Sequence, residues 1–283
     1  MDDPHEFDYR LPRRARGRRL GTHRATAVGA GLEFLTTLSL FDHPDPRRLD
    51  LRASLANLRG DWLVRANRQH AAIGVQVLID VSASMRFGAP RKLDVAADFV
   101  EALGRSAARV GDALGMVAFD ATAREDLHVA PRRGRGVGEL MAALLRECDG
   151  GAGDGRGLRG AAQQLLGRPE LVFVVSDYLW PLDGLADALD LLAPAHIMPI
   201  VVRDRAEIEP PPRDGAAMLV DAETGHRRTL WVRPALRARW HAAIAARATA
   251  LEAVFAERDL RPFTLLGAFD ANALSGHLLA EDA

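Results

Sequence analysis

Cysteine, lysine and aromatic residues are what this 283-residue chain has least of: one Cys, one Lys and 6% Phe, Trp and Tyr. The lone thiol, Cys148, excludes an internal disulfide and cannot build a structural zinc site. Lys92 is the only lysine among 37 basic residues, and all the others are arginine, the mark of a GC-rich genome. No apolar run approaches the roughly 18 residues needed to cross a bilayer. The chain opens on acids and arginines, without the apolar core of a secretory signal. The expectation is a soluble, cytoplasmic protein. There is no G-x-S-x-G, no G-x-x-x-x-G-K-[ST] and no H-E-x-x-H among the nine histidines, which leaves a serine-hydrolase elbow, a P-loop ATPase and a zincin unsupported. Gly134 to Gly138 has phosphate-loop spacing but follows no convincing strand, and reads as a flexible turn into a helix.

The formal net charge is -1, so the chain as a whole does not attract polyanions, and no nucleic-acid partner is expected. The charge is uneven, however. Arg10, Arg13, Arg14, Arg16, Arg18, Arg19 and Arg24 follow one another with no acid between them. This basic arm is either a solvated terminus or a peripheral contact with a membrane or an acidic surface.

Nearly half of the residues are apolar, enough for a sizeable core. From residue 71 onward the pattern alternates. Buried-strand runs at Ile73–Asp80, Ala113–Phe119, Leu171–Ser176 and Ile197–Val202 are separated by helical stretches, including Arg91–Val110, whose Leu93, Ala96, Val100, Leu103 and Ala107 share a face. Glu125–Val129 reads as an edge strand. Residues 209–233 read as a hairpin insertion, followed by a long helix with a core-facing stripe of Leu236, Trp240, Ile244, Leu251 and Phe255. Strand–helix alternation predicts an α/β fold with a doubly wound, mostly parallel sheet. Residues 1–70 read as an N-terminal extension carrying the basic arm, and residues 71–283 as the main domain.

Val75 to Ile79 ends in Asp80-Val81-Ser82-Ala83-Ser84, which places one carboxylate and two hydroxyls at the carboxyl end of a buried strand, where open α/β sheets bind ligands. A second strand ends in Ser176-Asp177. Oxygen donors of this kind suit a hard divalent cation. The alternative is ordinary strand-end polarity, because Asp and Ser bond local backbone.

Asp80-x-Ser82-x-Ser84 after a hydrophobic strand resembles the metal-ion-dependent adhesion site of von Willebrand factor A domains. The resemblance implies a Rossmann-like fold and a site in which Asp80, Ser82, Ser84 and Asp177 hold Mg²⁺ (or Mn²⁺ or Ca²⁺), with a partner's carboxylate as the last ligand. The threonine which that family carries on a second loop is missing from Gly155-Arg156-Gly157-Leu158. Two arrangements are open. Arg156 swings away and leaves the ion to water or Asp154, or its guanidinium replaces the ion against Asp80 or Asp177 and captures the partner's acid itself. Asp45-Pro46-Arg47-Arg48-Leu49-Asp50, Met85, Lys92, Gly111-Asp112 and Ser176-Asp177 further resemble bacterial proteins of this type encoded beside MoxR-type AAA+ ATPases. Arg233 to Arg237 and Phe269 to Ala271 are similar to MxaS-type accessory proteins of methanol oxidation. These likenesses imply a non-enzymatic adaptor for a MoxR-type ATPase that matures a partner enzyme, for instance a methanol dehydrogenase. The enzymatic alternative is a phosphotransferase of the haloacid-dehalogenase type with Asp80 as nucleophile. That chemistry needs a second carboxylate where Ser82 stands.

Overall fold

In the computed structural model, the residues described are 6–9, 11, 20–29, 33–151, 154–165, 169–211, 213–222 and 225–280. Contacts divide the chain into two compact units, residues 11–73 and residues 1–10 with 74–283.

In the smaller unit, β1 (Leu20–Gly29), β2 (Glu33–Ser39), α1 (Leu51–Ala56) and β3 (Leu63–Ala71) give an antiparallel sheet of order β1-β3-β2. Within the stretch expected as an extension, the described residues of β1, β2 and β3 form a sheet of their own. Val64 and Ala66 are buried in alternation with exposed Arg65, the period of a half-covered strand. Two short aspartate caps order the family-like block: Asp45 accepts from Arg47 N, and Asp50 accepts from Ala53 N at the start of α1. Arg10, Arg13, Arg14, Arg16, Arg18 and Arg19 of the basic arm lie outside the described residues, whereas Arg24 falls on β1.

The larger unit runs β4 (Gly74–Asp80), α2 (Lys92–Val110), β5 (Ala113–Phe119), β6 (Ala123–Arg132), α3 (Gly136–Glu147), α4 (Leu158–Gln163), β7 (Leu171–Ser176), α5 (Leu185–Leu192), β8 (His196–Arg203), α6 (Arg205–Ile208), β9 (Gly215–Val220), β10 (Arg227–Val232), α7 (Pro234–Ala256), β11 (Phe263–Leu266) and α8 (Ala271–Ala280). Six strands form one sheet in the order β11-β8-β7-β4-β5-β6, parallel except for β6 at the edge; β9 and β10 pair as a separate hairpin. This is the doubly wound, mostly parallel sheet that the alternation predicts.

β4 lies between β5 and β7, so all its residues after Gly74 are buried, which is why its sequence is a continuous apolar run. Helix α2 buries the whole expected face and stops at Gly111, where φ of 81° gives the left-handed turn that glycine takes without strain. Gly104 and Gly138 let α2 and α3 meet backbone to backbone, since a Cβ at Gly104 would lie 2.3 Å from the Gly138 Cα. Phe7 stacks on Phe99 and its amide donates to the Ser106 hydroxyl, so Phe7 packs on α2 within this unit.

The long helix α7 departs from expectation. Only Leu251 and Phe255 of its apolar stripe are buried. Trp240 and Ile244 instead line a cavity of about 530 Å³ with Val201, Ile208 and Leu251.

Candidate functional site

Parallel pairing of β4 with β7 puts Ile79 opposite Val175, so Asp80 and the Ser176-Asp177 pair leave the sheet at the same rim. The structure brings the residues expected to form the site together there. Ser176 Oγ donates to Asp80 Oδ2 at 2.6 Å, and Trp180 Nε1 donates to the same oxygen at 3.0 Å. Ser82 N donates to Asp80 Oδ1 at 2.8 Å, and the Ser82 and Ser84 hydroxyls lie 3.2 Å apart. Asp80, Ser82 and Asp177 are fully buried and Ser84 nearly so.

The loop after β7 is drawn tight around this cluster. Tyr178 holds a φ of 50°, a left-handed conformation uncommon for a bulky residue and characteristic of constrained sites. Several bonds hold it: Tyr178 N donates to Ser176 Oγ, Tyr178 OH to the Val174 carbonyl, and Arg247 Nε to the Tyr178 carbonyl. Arg203 donates to the Asp177 carbonyl. Burial, and then the charge of Asp177, push the Asp80 carboxyl up to about 7, against the opposing hydrogen bonds from Ser176 and Ser82. Burial raises Tyr178 well above the ordinary tyrosine range and lowers Arg203 and Arg247 from the ordinary arginine range.

The cation paired directly with the Asp177 carboxylate is Lys92. Its Nζ lies 2.5 Å from Asp177 Oδ2 and 2.5 Å from Glu207 Oε1, with the lysine 1% exposed. The other Asp177 oxygen accepts from Leu179 N at 3.0 Å. Lys92 gets there because the chain folds back after Ser84, where Lys92 N donates to the Phe87 carbonyl at the first turn of α2. Glu207 is set by α6: its Oε2 accepts from Asp204 N at 3.2 Å, and its carbonyl accepts from Trp240 Nε1 at 3.0 Å.

Arg156 swings away from Asp80, as in the first of the two arrangements, and does not replace an ion against Asp80 or Asp177. Its Nε pairs with Asp154 Oδ2 at 2.8 Å, 67% exposed, on the outer side of the glycine-rich loop. That loop is glycine-rich because it has no room for side chains. A Cβ on Gly155 would lie 2.1 Å from the Trp180 indole, and one on Gly151 would lie 1.9 Å from Asp120. Trp180 thus fills the space beneath the second loop and donates its N–H to Asp80.

As arranged, these residues do not fit a divalent ion. Both Asp80 oxygens accept protein hydrogen bonds, both Asp177 oxygens have partners, and the ammonium of Lys92 already stands against Asp177. An entering ion would meet that like charge. Among the described residues no group of three or more His, Cys, Asp and Glu side chains is placed to hold a metal. The members that sequence reasoning did not assign are Lys92, Trp180 and Glu207. A signal for Lys92 was present, because it is the one position where the chain keeps a lysine.

A doubly wound sheet with a buried polar cluster at its carboxyl rim defines the class. Residues 45–250 match the model of the family "Protein of unknown function DUF58", and the chain belongs to that family. The chain is 37% identical over 95 residues to an uncharacterized protein in the moxR 3' region of Paracoccus denitrificans, a match covering 34% of this chain and 90% of that protein. It is 28% identical over 194 residues to an uncharacterized protein of Mycobacterium tuberculosis, covering 63% of this chain and only 60% of that relative's length. Among solved structures it is similar to BatB from Bacteroides thetaiotaomicron (TM-score 0.43, 14% identity, 75% of this chain and 98% of that one). It is also similar to a von Willebrand factor type A protein from Catenulispora acidiphila (TM-score 0.35, 14% identity, 49% of this chain and 35% of that one). No helix among the described residues is long and apolar enough to cross a membrane.

Proposed function

We propose that the chain is a non-enzymatic binding module that docks a protein partner at the carboxyl rim of its sheet. The observation that carries this is the contrast within the two rim loops. Asp80, Ser82 and Asp177 are sealed, while Phe87 and Leu179, on the loops after adjacent strands β4 and β7, expose large apolar side chains. Apolar anchors around a desolvated polar centre are how protein interfaces hold. An aspartyl nucleophile is poorly served by the same geometry, because Asp80 is inaccessible and both its oxygens accept hydrogen bonds.

The partner proposed is a MoxR-type AAA+ ATPase, supported by the relative in a moxR 3' region. The enzyme served is proposed to be a methanol dehydrogenase, on the likeness of Arg233 to Arg237 and Phe269 to Ala271 to MxaS-type proteins. Metal-dependent docking through Asp80, Ser82, Ser84 and Asp177 remains the competing form of this reading, and it requires Lys92 to move aside.

Co-purification of a MoxR-type ATPase with the wild type and with a Phe87→Ser, Leu179→Ser double variant tests the reading. The double variant is expected to lose capture while keeping its circular dichroism spectrum. Equal capture by both proteins removes the rim as the docking site. Asp80→Ala is a poor probe here, because it strands the Trp180, Ser176 and Ser82 donors and so disturbs folding as well.

A further inference from the structure

We propose that the Lys92 ammonium is itself the carboxylate-binding cation of this site, and that Glu207 occupies it as an internal stand-in for a carboxylate brought by a partner. This rests on the docking role proposed above.

The two acids on Lys92 are not equivalent. Asp177 is fully buried and is fixed on its other side by Leu179 N. It neutralises the lysine permanently. Glu207 is the more exposed, with its side chain at 17% against 0% for Asp177, and it comes from a four-residue helix. Arg203 lies close enough to feel the charge of both acids, so Lys92 and Arg203 together balance Asp177 and Glu207. Replacing one carboxylate by another leaves the net charge of the cluster unchanged. An incoming Asp or Glu side chain therefore meets no new electrostatic cost, whereas a divalent ion does. The exchange also leaves the backbone of α6 in place, because Trp240 holds the Glu207 carbonyl and not its side chain. Glu207 Oε2 gives up only the 3.2 Å bond from Asp204 N.

Composition points the same way. A chain that uses arginine at every other basic position keeps lysine here. A compact ammonium donates in three directions to separate oxygens, while a planar guanidinium is built for one bidentate partner. Asp177 and Glu207 reach Lys92 from different elements, and that arrangement needs the point charge.

The only lysine is also its own spectroscopic label. In the full chain made with ¹³C-lysine, every lysine Cε–Hε signal comes from Lys92. The signal is read during titration with MgCl₂, MnCl₂ or CaCl₂, alongside calorimetry, and then with N-acetylglutamate methylamide as the carboxylate probe. The metals are expected to give no saturable heat in wild type and no change in the thermal midpoint with EDTA. The probe is expected to shift the signal in Glu207→Gln at about tenfold lower concentration than in wild type, the gain expected if Glu207 fills the site nine-tenths of the time. One-to-one metal binding by wild type overturns the proposal. So does a probe that leaves the signal unmoved in both proteins, or one that binds wild type as tightly as the variant. If Glu207→Gln folds poorly, the wild-type titration at high probe concentration decides alone. Equal ATPase capture by wild type and the Phe87→Ser, Leu179→Ser variant, with the probe shift intact, would count against the docking role and not against this site.

Discussion

Two ion pairs on neighbouring loops, Lys92–Asp177 and Arg156–Asp154, have similar lengths of 2.5 and 2.8 Å and differ in almost everything else. The first is sealed, with side chains 1% and 0% exposed; the second lies in solvent at 67% and 25%. The difference shows that geometry alone does not make a site. In water an ion pair contributes little, because both charges were already solvated. In the interior each charge depends on the other, and removing one leaves the remaining charge in a medium that cannot support it.

That contrast is broken or sharpened by substitution. The largest effect is expected from Lys92→Met, which removes the ammonium that pairs directly with the Asp177 and Glu207 carboxylates. Urea unfolding should show a loss of about 3–5 kcal/mol, and a loss no greater than that of an exposed pair would contradict the sealed geometry. A smaller effect is expected from Asp80→Asn, read as a pH profile. The folded carboxyl of Asp80 sits up at about 7, above its unfolded value, so the folded state holds that proton more tightly. Its contribution to stability is therefore greatest in acid and is lost as pH rises from the ordinary carboxylate range through 7. The variant should flatten that part of the curve, and a profile parallel to wild type would remove Asp80 as its source. The smallest effect is expected from Arg156→Ala, with a change in unfolding free energy below about 1 kcal/mol. A larger loss would mean that the outer pair is less exposed than it stands.

The sequence makes the sheet legible because its central strands are buried on both faces and write themselves as unbroken apolar runs. Asp80 and Asp177 are legible as rim residues for the same reason, since each ends such a run. Lys92 is not, because its position depends on the chain turning back from Ser84 to Phe87 before α2 begins. Glu207 is not, because a one-turn helix after β8 carries no periodic signal. Arg156 invites the wrong assignment, since Trp180 fills the interior space beside Gly155 and turns the loop's own side chains outward. The sheet of β1, β2 and β3 is hidden by the arginines that precede it in sequence, which read as an arm, although Val64 and Ala66 are buried in alternation with exposed Arg65.

That smaller unit has a consequence for handling the protein. It carries twelve arginines against five acids, a formal +7, which leaves -8 for the rest of a chain whose total is -1. It also presents Phe41, Leu51, Leu55, Leu58 and Trp62 to solvent. Added salt screens the arginines and weakens adhesion to anything anionic. A strongly excluded salt such as ammonium sulfate drives the uncovered leucines together. Chromatography of this chain therefore has a window, bounded below by ion-exchange sticking and above by self-association, and the width of that window measures how much of the apolar surface is free.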